Sequence, residues 1–129
     1  MNFSLLVMAS PYSSQSSLSA LKFAQTCLEQ DHGIYRVFFY HDGVHSASEL
    51  QSPAQDEVNI HLQWQALADA HNIDLVTCIA AALKRGIINE EEAKRYQKNQ
   101  HNLGSSFELS GLGQLLDAQL HSDQMVTFG

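Results

Sequence analysis

The sequence predicts an α/β fold, a single domain in which a mostly parallel central sheet carries helices on both faces. Short apolar runs rich in β-branched and aromatic residues alternate along the chain with segments of helical periodicity. The chain has 129 residues, 44% of them hydrophobic, with only seven Gly and two Pro. A chain of this length and composition can bury one substantial core.

The first half of the chain is predicted to form two strands and two helices. The strands cover residues 3–8 and 34–40, and the second is rich in aromatic side chains. Helical periodicity covers residues 16–29, and a serine can cap the start of this helix. It also covers residues 56–71, where the alternating spacing of the first apolar residues makes the helix start less well defined. Between them, Asp42-Gly43 indicates a turn, followed by a loop with at most one helical turn.

The second half is predicted to form two further strands with short helices between them. A strand over residues 73–77 leads directly into a helix over residues 79–85, which Gly86 ends. Asn89 can cap a helix over residues 90–97. A polar loop over residues 99–106, a short helix containing Leu115 and Leu120, and a closing strand over residues 123–128 complete the order.

The acidic composition excludes several classes of partner. The formal net charge is −7, from seven Lys/Arg against fourteen Asp/Glu, and no basic run is present. Direct binding to nucleic acid or to an anionic membrane is therefore not expected, and an acidic partner could dock only at a local basic patch. With no signal peptide or membrane span in view and only two cysteines, we expect a cytoplasmic protein with reduced thiols.

Cys78 is the candidate catalytic residue. It lies between the third predicted strand and the helix that follows, and ligands of parallel sheets gather at the carboxyl ends of strands. A helix N-terminus stabilises a thiolate and lowers its pKa, which favours nucleophilic chemistry. The alternative is a small buried side chain, since cysteine is often buried. Lys84 and Arg85 add little support, because both lie toward the far end of the helix.

Other candidate residues have simpler explanations. Cys27 lies late on the first predicted helix among apolar residues, which indicates core packing. His41 and His45 flank a turn, and the remaining histidines are scattered, so no metal site is predicted. The Glu-rich segment 90–92 is explained as a solvated helix start, and the segment 110–113 as a capped turn that only weakly suggests phosphate binding.

Four segments together resemble the DsrE-like sulfurtransferases, and within that family the TusD group. They are residues 37–40 with 42–44, residues 52–54 with 56–57, residues 78–86 and residues 107–113, in that order along nearly the whole chain. The resemblance implies that Cys78 accepts a sulfane sulfur as a persulfide from a TusA-like donor and passes it to a TusE-like acceptor. No cofactor or metal is implied.

The resemblance also implies an assembly and a pathway. The assembly is a heterohexamer with TusB-like and TusC-like subunits, two copies of each subunit, and the pathway produces 2-thiouridine at the wobble position of tRNA. The protein itself would not contact tRNA, which agrees with its acidic charge. Three alternatives stay open: a DsrE-type role in sulfur oxidation, a non-catalytic assembly subunit, and a small-molecule or nucleotide-binding domain suggested by fold analogy alone.

Overall fold

The computed structural model describes all residues from Met1 to Gly129 and contains one five-stranded, all-parallel sheet. The spatial order of its strands is β4-β3-β2-β1-β5. The strands are β1 (Asn2–Val7), β2 (Gly33–Phe39), β3 (Asp74–Cys78), β4 (Phe107–Ser110) and β5 (Gln124–Phe128). The predicted α/β class with a mostly parallel sheet is confirmed.

Five α-helices and one 3-10 helix connect the strands. They are α1 (Gln15–Glu29), the 3-10 helix (His41–Ala47), α2 (Ile60–His71), α3 (Ile79–Leu83), α4 (Glu90–Arg95) and α5 (Gly113–His121). None of these helices is both long enough and apolar enough to cross a membrane.

The helices cover both faces of the sheet. On one face, Trp64 of α2 packs edge-on against Phe39 of β2, with ring centroids 5.5 Å apart. Side chains alternate between faces along a strand, so the neighbouring Arg36 and Phe38 lie on the opposite face. There Arg36 donates to the carbonyl oxygen of Gln114 in α5. A cluster of 23 buried residues fills the interior.

Polar side chains cap the helices where the sequence indicates. Ser14 accepts a hydrogen bond from the backbone N–H of Ser16 at the start of α1. Asn89 accepts one from Glu92 at the start of α4, as predicted. Gly86 has a φ of +79°, a left-handed conformation that glycine adopts without strain, and it follows α3 as expected.

Three details of the sequence prediction are wrong. The strand β4 was missed, because it has only four residues, and Glu108 and Ser110 make it resemble the preceding loop. Helix α2 begins at Ile60 rather than near residue 56, since Asn59 caps it by accepting from Leu62. The segment after β2, which was predicted to be a turn and a loop, instead begins with the 3-10 helix.

A buried arginine joins β2, β3 and α5. Arg36 is 8% exposed, and its guanidinium pairs with Asp74 at 2.7 Å and with Asp117 at 2.7 Å. Tyr35 also donates its hydroxyl to Asp117. The hydrogen bond from Tyr35 and then that from Arg36 hold the pKa of Asp117 below its usual value. The network offsets the cost of burying the cation and fixes α5 against the sheet.

We expect Gly43→Ala to destabilise the protein by about 1–3 kcal/mol, the usual cost of overpacking. Gly43 is buried in the 3-10 helix, and a Cβ there would overlap the backbone carbonyl oxygen of Val7, which cannot move without shifting β1. Gly111→Ala is the matched control, because a Cβ at Gly111 meets nothing within 4 Å. Urea unfolding of both variants measures the difference, and equal midpoints would contradict this packing.

Candidate functional site

Cys78 lies at the carboxyl edge of the sheet, where β3 passes directly into α3. It is the last residue of β3 and the N-cap residue of α3, with φ −59° and ψ 119°. Its side chain makes no capping hydrogen bond to the helix. Side chains alternate between the two faces along β3, so Cys78 lies on the same face of the sheet as Asp74. Asp74 pairs with Arg36, which also contacts α5, and Cys78 therefore lies on the face that α5 covers. The sequence-predicted junction of strand, cysteine and helix is confirmed.

The thiol lines a cavity of about 230 Å³. Three segments at the carboxyl edge form its walls: Tyr40 and His41 after β2, residues 78–85 around α3, and Gly111 with Leu112 after β4. Cys78 itself is only 4% exposed, whereas His41, Lys84 and Leu112 in the walls are exposed. The thiol is therefore recessed, and the cavity is the space from which a reactant would approach it.

The charged groups in the cavity wall are cationic. Lys84 forms no ion pair, and no Asp or Glu side chain lines the cavity. Arg85 donates from Nε to Oδ1 of Asp42 at 2.9 Å and from Nη1 to the carbonyl oxygen of Ala81 at 3.1 Å. The hydrogen bond from Arg85 lowers the pKa of Asp42, which keeps that carboxylate ionised and the guanidinium in place.

An aromatic pair forms the wall that follows β2. The rings of Tyr40 and His41 lie 4.3 Å apart between centroids. His41 has a φ of +49°, a left-handed conformation that is uncommon outside glycine. Because β2 is the sheet neighbour of β3, these residues lie beside Cys78 despite the distance along the chain.

Two basic residues that the sequence analysis gave little weight lie at this site. Lys84 and Arg85 both line the cavity that contains Cys78, although both follow the last residue of α3. Tyr40 and His41 were missed as site residues. The signal that could have found them is their place directly after the strand that pairs with β3.

The second thiol lies far from this site. Cys27 is 6% exposed near the end of α1, and burial raises its pKa. Helix α1 returns the chain from the carboxyl end of β1 to the start of β2, so Cys27 lies toward the opposite edge of the sheet from Cys78. Both cysteines are free thiols. The structure agrees with core packing as the role of Cys27.

The remaining candidates do not form sites. No group of three or more His, Cys, Asp or Glu side chains is placed to hold a metal ion, and His41 and His45 do not converge with other ligands. Gly111 and Leu112, in the segment considered for phosphate, form part of the Cys78 cavity. Glu90 and Glu91 are exposed at the start of α4, as predicted, but Glu92 is buried and pairs with Arg95, so the segment is only partly solvated.

Larger concavities exist but contain no cysteine. One of about 300 Å³ lies at the start of α1 beside Tyr12. Another of about 420 Å³ lies on the other side of Arg85, with His45 and Asn102 in its walls. Of these concavities, only the one at the carboxyl edge of the sheet contains a thiol.

Comparison with known proteins identifies related chains over the full length. The sequence model of the DsrE/DsrF-like family matches residues 1–128. The “Putative sulfurtransferase DsrE” of Allochromatium vinosum is 46% identical over 129 residues, which cover 100% of this chain and 99% of the relative. The sulfurtransferase TusD homolog of Aliivibrio fischeri is 51% identical over 126 residues, which cover 98% of this chain and 97% of the relative.

A further relative and a solved structure agree with these matches. The sulfurtransferase TusD of Enterobacter sp. is 45% identical over 128 residues, covering 99% of this chain and 100% of the relative. The crystal structure of the ychN protein from E. coli superposes with a TM-score of 0.78 at 24% identity, covering 99% of this chain and 100% of that one. At that identity, the structural likeness establishes the fold alone.

We expect Cys78 to react with iodoacetamide in the native protein and Cys27 to react only after unfolding. Cys78 faces a cavity, whereas Cys27 is packed in the core and its raised pKa leaves less thiolate. Intact-mass and peptide analysis of the native protein measures both rates, with Cys27→Ser and Cys78→Ser as single-thiol controls. Protection of Cys78 until unfolding would show that the cavity gives no access to the thiol.

Proposed function

The chain belongs to the DsrE/DsrF-like family, and from that premise we propose that it is a sulfur carrier in which Cys78 holds a sulfane sulfur as a persulfide. Relatives at 44% to 51% identity over nearly the whole chain bear the name sulfurtransferase, which supports a role in sulfur transfer. The resemblance inferred from the sequence is thereby confirmed at the level of the family.

The observation that carries the proposal is the different placement of the two thiols. Cys78 lines a cavity at the carboxyl edge of a parallel sheet, the edge at which such sheets bind ligands. Both thiols belong to the buried core, with Cys27 6% and Cys78 4% exposed, but Cys27 lies near the opposite edge and lines none of the main cavities. A carrier needs one nucleophilic sulfur that reactants can approach, and the cavity beside Cys78 supports its choice as that sulfur.

The proposed transfer needs no redox partner. The Cys78 thiolate attacks the terminal sulfur of a donor persulfide, so that a new S–S bond forms at Cys78. The S–S bond of the donor breaks, and the donor sulfur leaves as a thiolate that takes up a proton. An acceptor thiolate then attacks the outer sulfur on Cys78 by the same chemistry and returns Cys78 to a thiolate.

The proposed partners are those of a sulfur relay. The donor is TusA-like, the acceptor is TusE-like, and TusB-like and TusC-like subunits complete a hetero-oligomer whose pathway ends in 2-thiouridine in tRNA. An apolar stripe on α5 suits subunit contacts: Leu112, Leu116 and Leu120 are 50%, 61% and 70% exposed and recur every four residues. The net charge of −7 argues that tRNA is modified by another protein.

Two other candidate functions have specific support. The 46% identity to DsrE of Allochromatium vinosum favours a DsrE-type sulfur-trafficking role as the second candidate. The low exposure of Cys78 favours a non-catalytic assembly subunit as the third. The alkylation experiment above addresses the third candidate.

We expect Cys78→Ser to fold normally but to gain no sulfur from a persulfide donor. Serine removes the nucleophile with little change in volume, so unfolding should match that of the parent protein. Intact-mass analysis after incubation with a donor persulfide measures the gain of one sulfur atom, which Cys27→Ser should retain. A Cys78→Ser protein that loads normally would refute the assignment of this residue.

We expect a strain without this chain to lose 2-thiouridine from tRNA if the relay pathway is the native one. Sulfur supply to the thiolation step would stop, and nucleoside mass spectrometry of total tRNA measures the loss. Restoration by the native gene and not by a Cys78→Ser gene supports the leading proposal. Unchanged 2-thiouridine would instead favour the sulfur-trafficking role of the DsrE type.

A further inference from the structure

We propose that His41 is the acid and base of sulfur transfer, moving one proton between the Cys78 thiol and the thiol of the donor or acceptor. This inference rests on the proposed function, because it takes Cys78 to be the sulfur-accepting residue. It adds a second catalytic side chain and, with it, a dependence of sulfur transfer on pH.

His41 shares one small cavity with the reacting thiol. Both His41 and Cys78 line the space of about 230 Å³ at the carboxyl edge of the sheet. A reactant whose sulfur meets Cys78 in a space of that size also lies within reach of the imidazole. Of the seven histidines in the chain, His41 is the only one in this wall.

The neighbouring aromatic side chains hold the imidazole at the cavity. The ring centroid of Tyr40 lies 4.3 Å from that of His41 and 6.4 Å from that of Phe38, which is fully buried. The left-handed φ of +49° at His41 turns the chain shortly after β2, and histidine adopts this conformation more readily than most residues do. The imidazole is therefore anchored to the core through Tyr40.

The other titratable groups around His41 are not suited to exchanging a proton near neutral pH. Tyr40, Lys84 and Arg85 line the cavity, and side chains of these three types ordinarily keep their protons at pH 7. Asp42, which follows His41, is an ionised carboxylate that pairs with Arg85 and lies outside the cavity wall. Histidine is the side chain that both gains and loses a proton between about pH 5 and 8.

One histidine balances the protons of both half-reactions. Neutral His41 takes the proton of the Cys78 thiol, and the thiolate attacks the outer sulfur of the donor persulfide, so that an S–S bond forms at Cys78. The S–S bond of the donor breaks, and its sulfur leaves with the electron pair and takes the proton from the imidazolium. In the second half-reaction, the acceptor thiol gives its proton to His41, and Cys78 regains that proton when it leaves.

Two neutral disulfides test whether His41 protonates the leaving sulfur. Bis(2-hydroxyethyl) disulfide releases an ordinary alkyl thiolate, which needs a proton at neutral pH, whereas 4,4′-dipyridyl disulfide releases a thiolate that is stable without one. Both react with the same Cys78 thiolate, so the ratio of their rates cancels any change in thiolate fraction. In a Cys27→Ser background at pH 7, we expect His41→Asn to lower the alkyl-to-dipyridyl ratio about tenfold or more. Asparagine tolerates the left-handed backbone but cannot exchange the proton.

The pH dependence of this ratio separates a proton donor from a side chain that only packs. The acid form of histidine is present at low pH and is lost as the pH rises through its titration. Relative to the ratio in His41→Asn, we therefore expect the ratio in the parent protein to fall as the pH is raised. A relative ratio that does not change with pH would overturn the inference.

His45→Asn is the matched control. His45 lies four residues further along the same 3-10 helix and lines the cavity on the other side of Arg85 rather than the one that contains Cys78. We expect its rate ratio and pH profile to equal those of the parent protein. An unchanged ratio in His41→Asn, or equal decreases in both variants, would overturn the inference.

Persulfide loading then separates this inference from the proposed function. We expect cysteine persulfide to add one sulfur to Cys78 several-fold more slowly in His41→Asn than in His45→Asn, as measured by intact mass. Equal loading rates would overturn the role of His41 and leave the carrier function standing. Loading of Cys78 by no donor at all, while both disulfides still react there, would refute the carrier function itself.

Discussion

The parallel alignment of β2, β3 and β4 is the constraint on which the site depends. Parallel strands end at one edge of the sheet, so the segments that follow each of them meet in space. His41, Cys78 and Leu112 are separated by more than thirty residues along the chain, yet they line one cavity for this reason. Local sequence places Lys84 and Arg85 near the Cys78 thiol, whereas topology adds the walls that follow β2 and β4.

The buried side chain of Arg36 also links the sheet to one wall of the Cys78 cavity. Arg36 pairs with Asp74 on β3 and with Asp117 on α5, so the three elements are joined beneath the carboxyl edge. Leu112 immediately precedes α5 and forms a wall of the cavity. The position of that wall therefore depends on an ion-pair network that lies between the sheet and α5, outside the cavity.

Sequence patterns predicted the parts of this molecule that local chemistry determines. The apolar run before Cys78 and the alanine-rich segment after it predicted the strand and the helix that meet at this residue. Strand β4 was missed because an edge strand of four residues with two polar side chains has no clear period. The place of Lys84 in the cavity wall could not be predicted from the sequence, because the shape of the cavity depends on tertiary packing.

The separation of Cys27 and Cys78 has a consequence for cargo retention. A thiol within reach of a persulfide attacks its inner sulfur, forms a disulfide and expels hydrosulfide, which discharges the carrier. Here the two cysteines lie toward opposite edges of the sheet, and Cys27 is enclosed by the core. In the proposed carrier, this architecture would prevent self-discharge within one chain. The lifetime of a persulfide on Cys78 would then be set by encounters with other molecules, which would make release a bimolecular event.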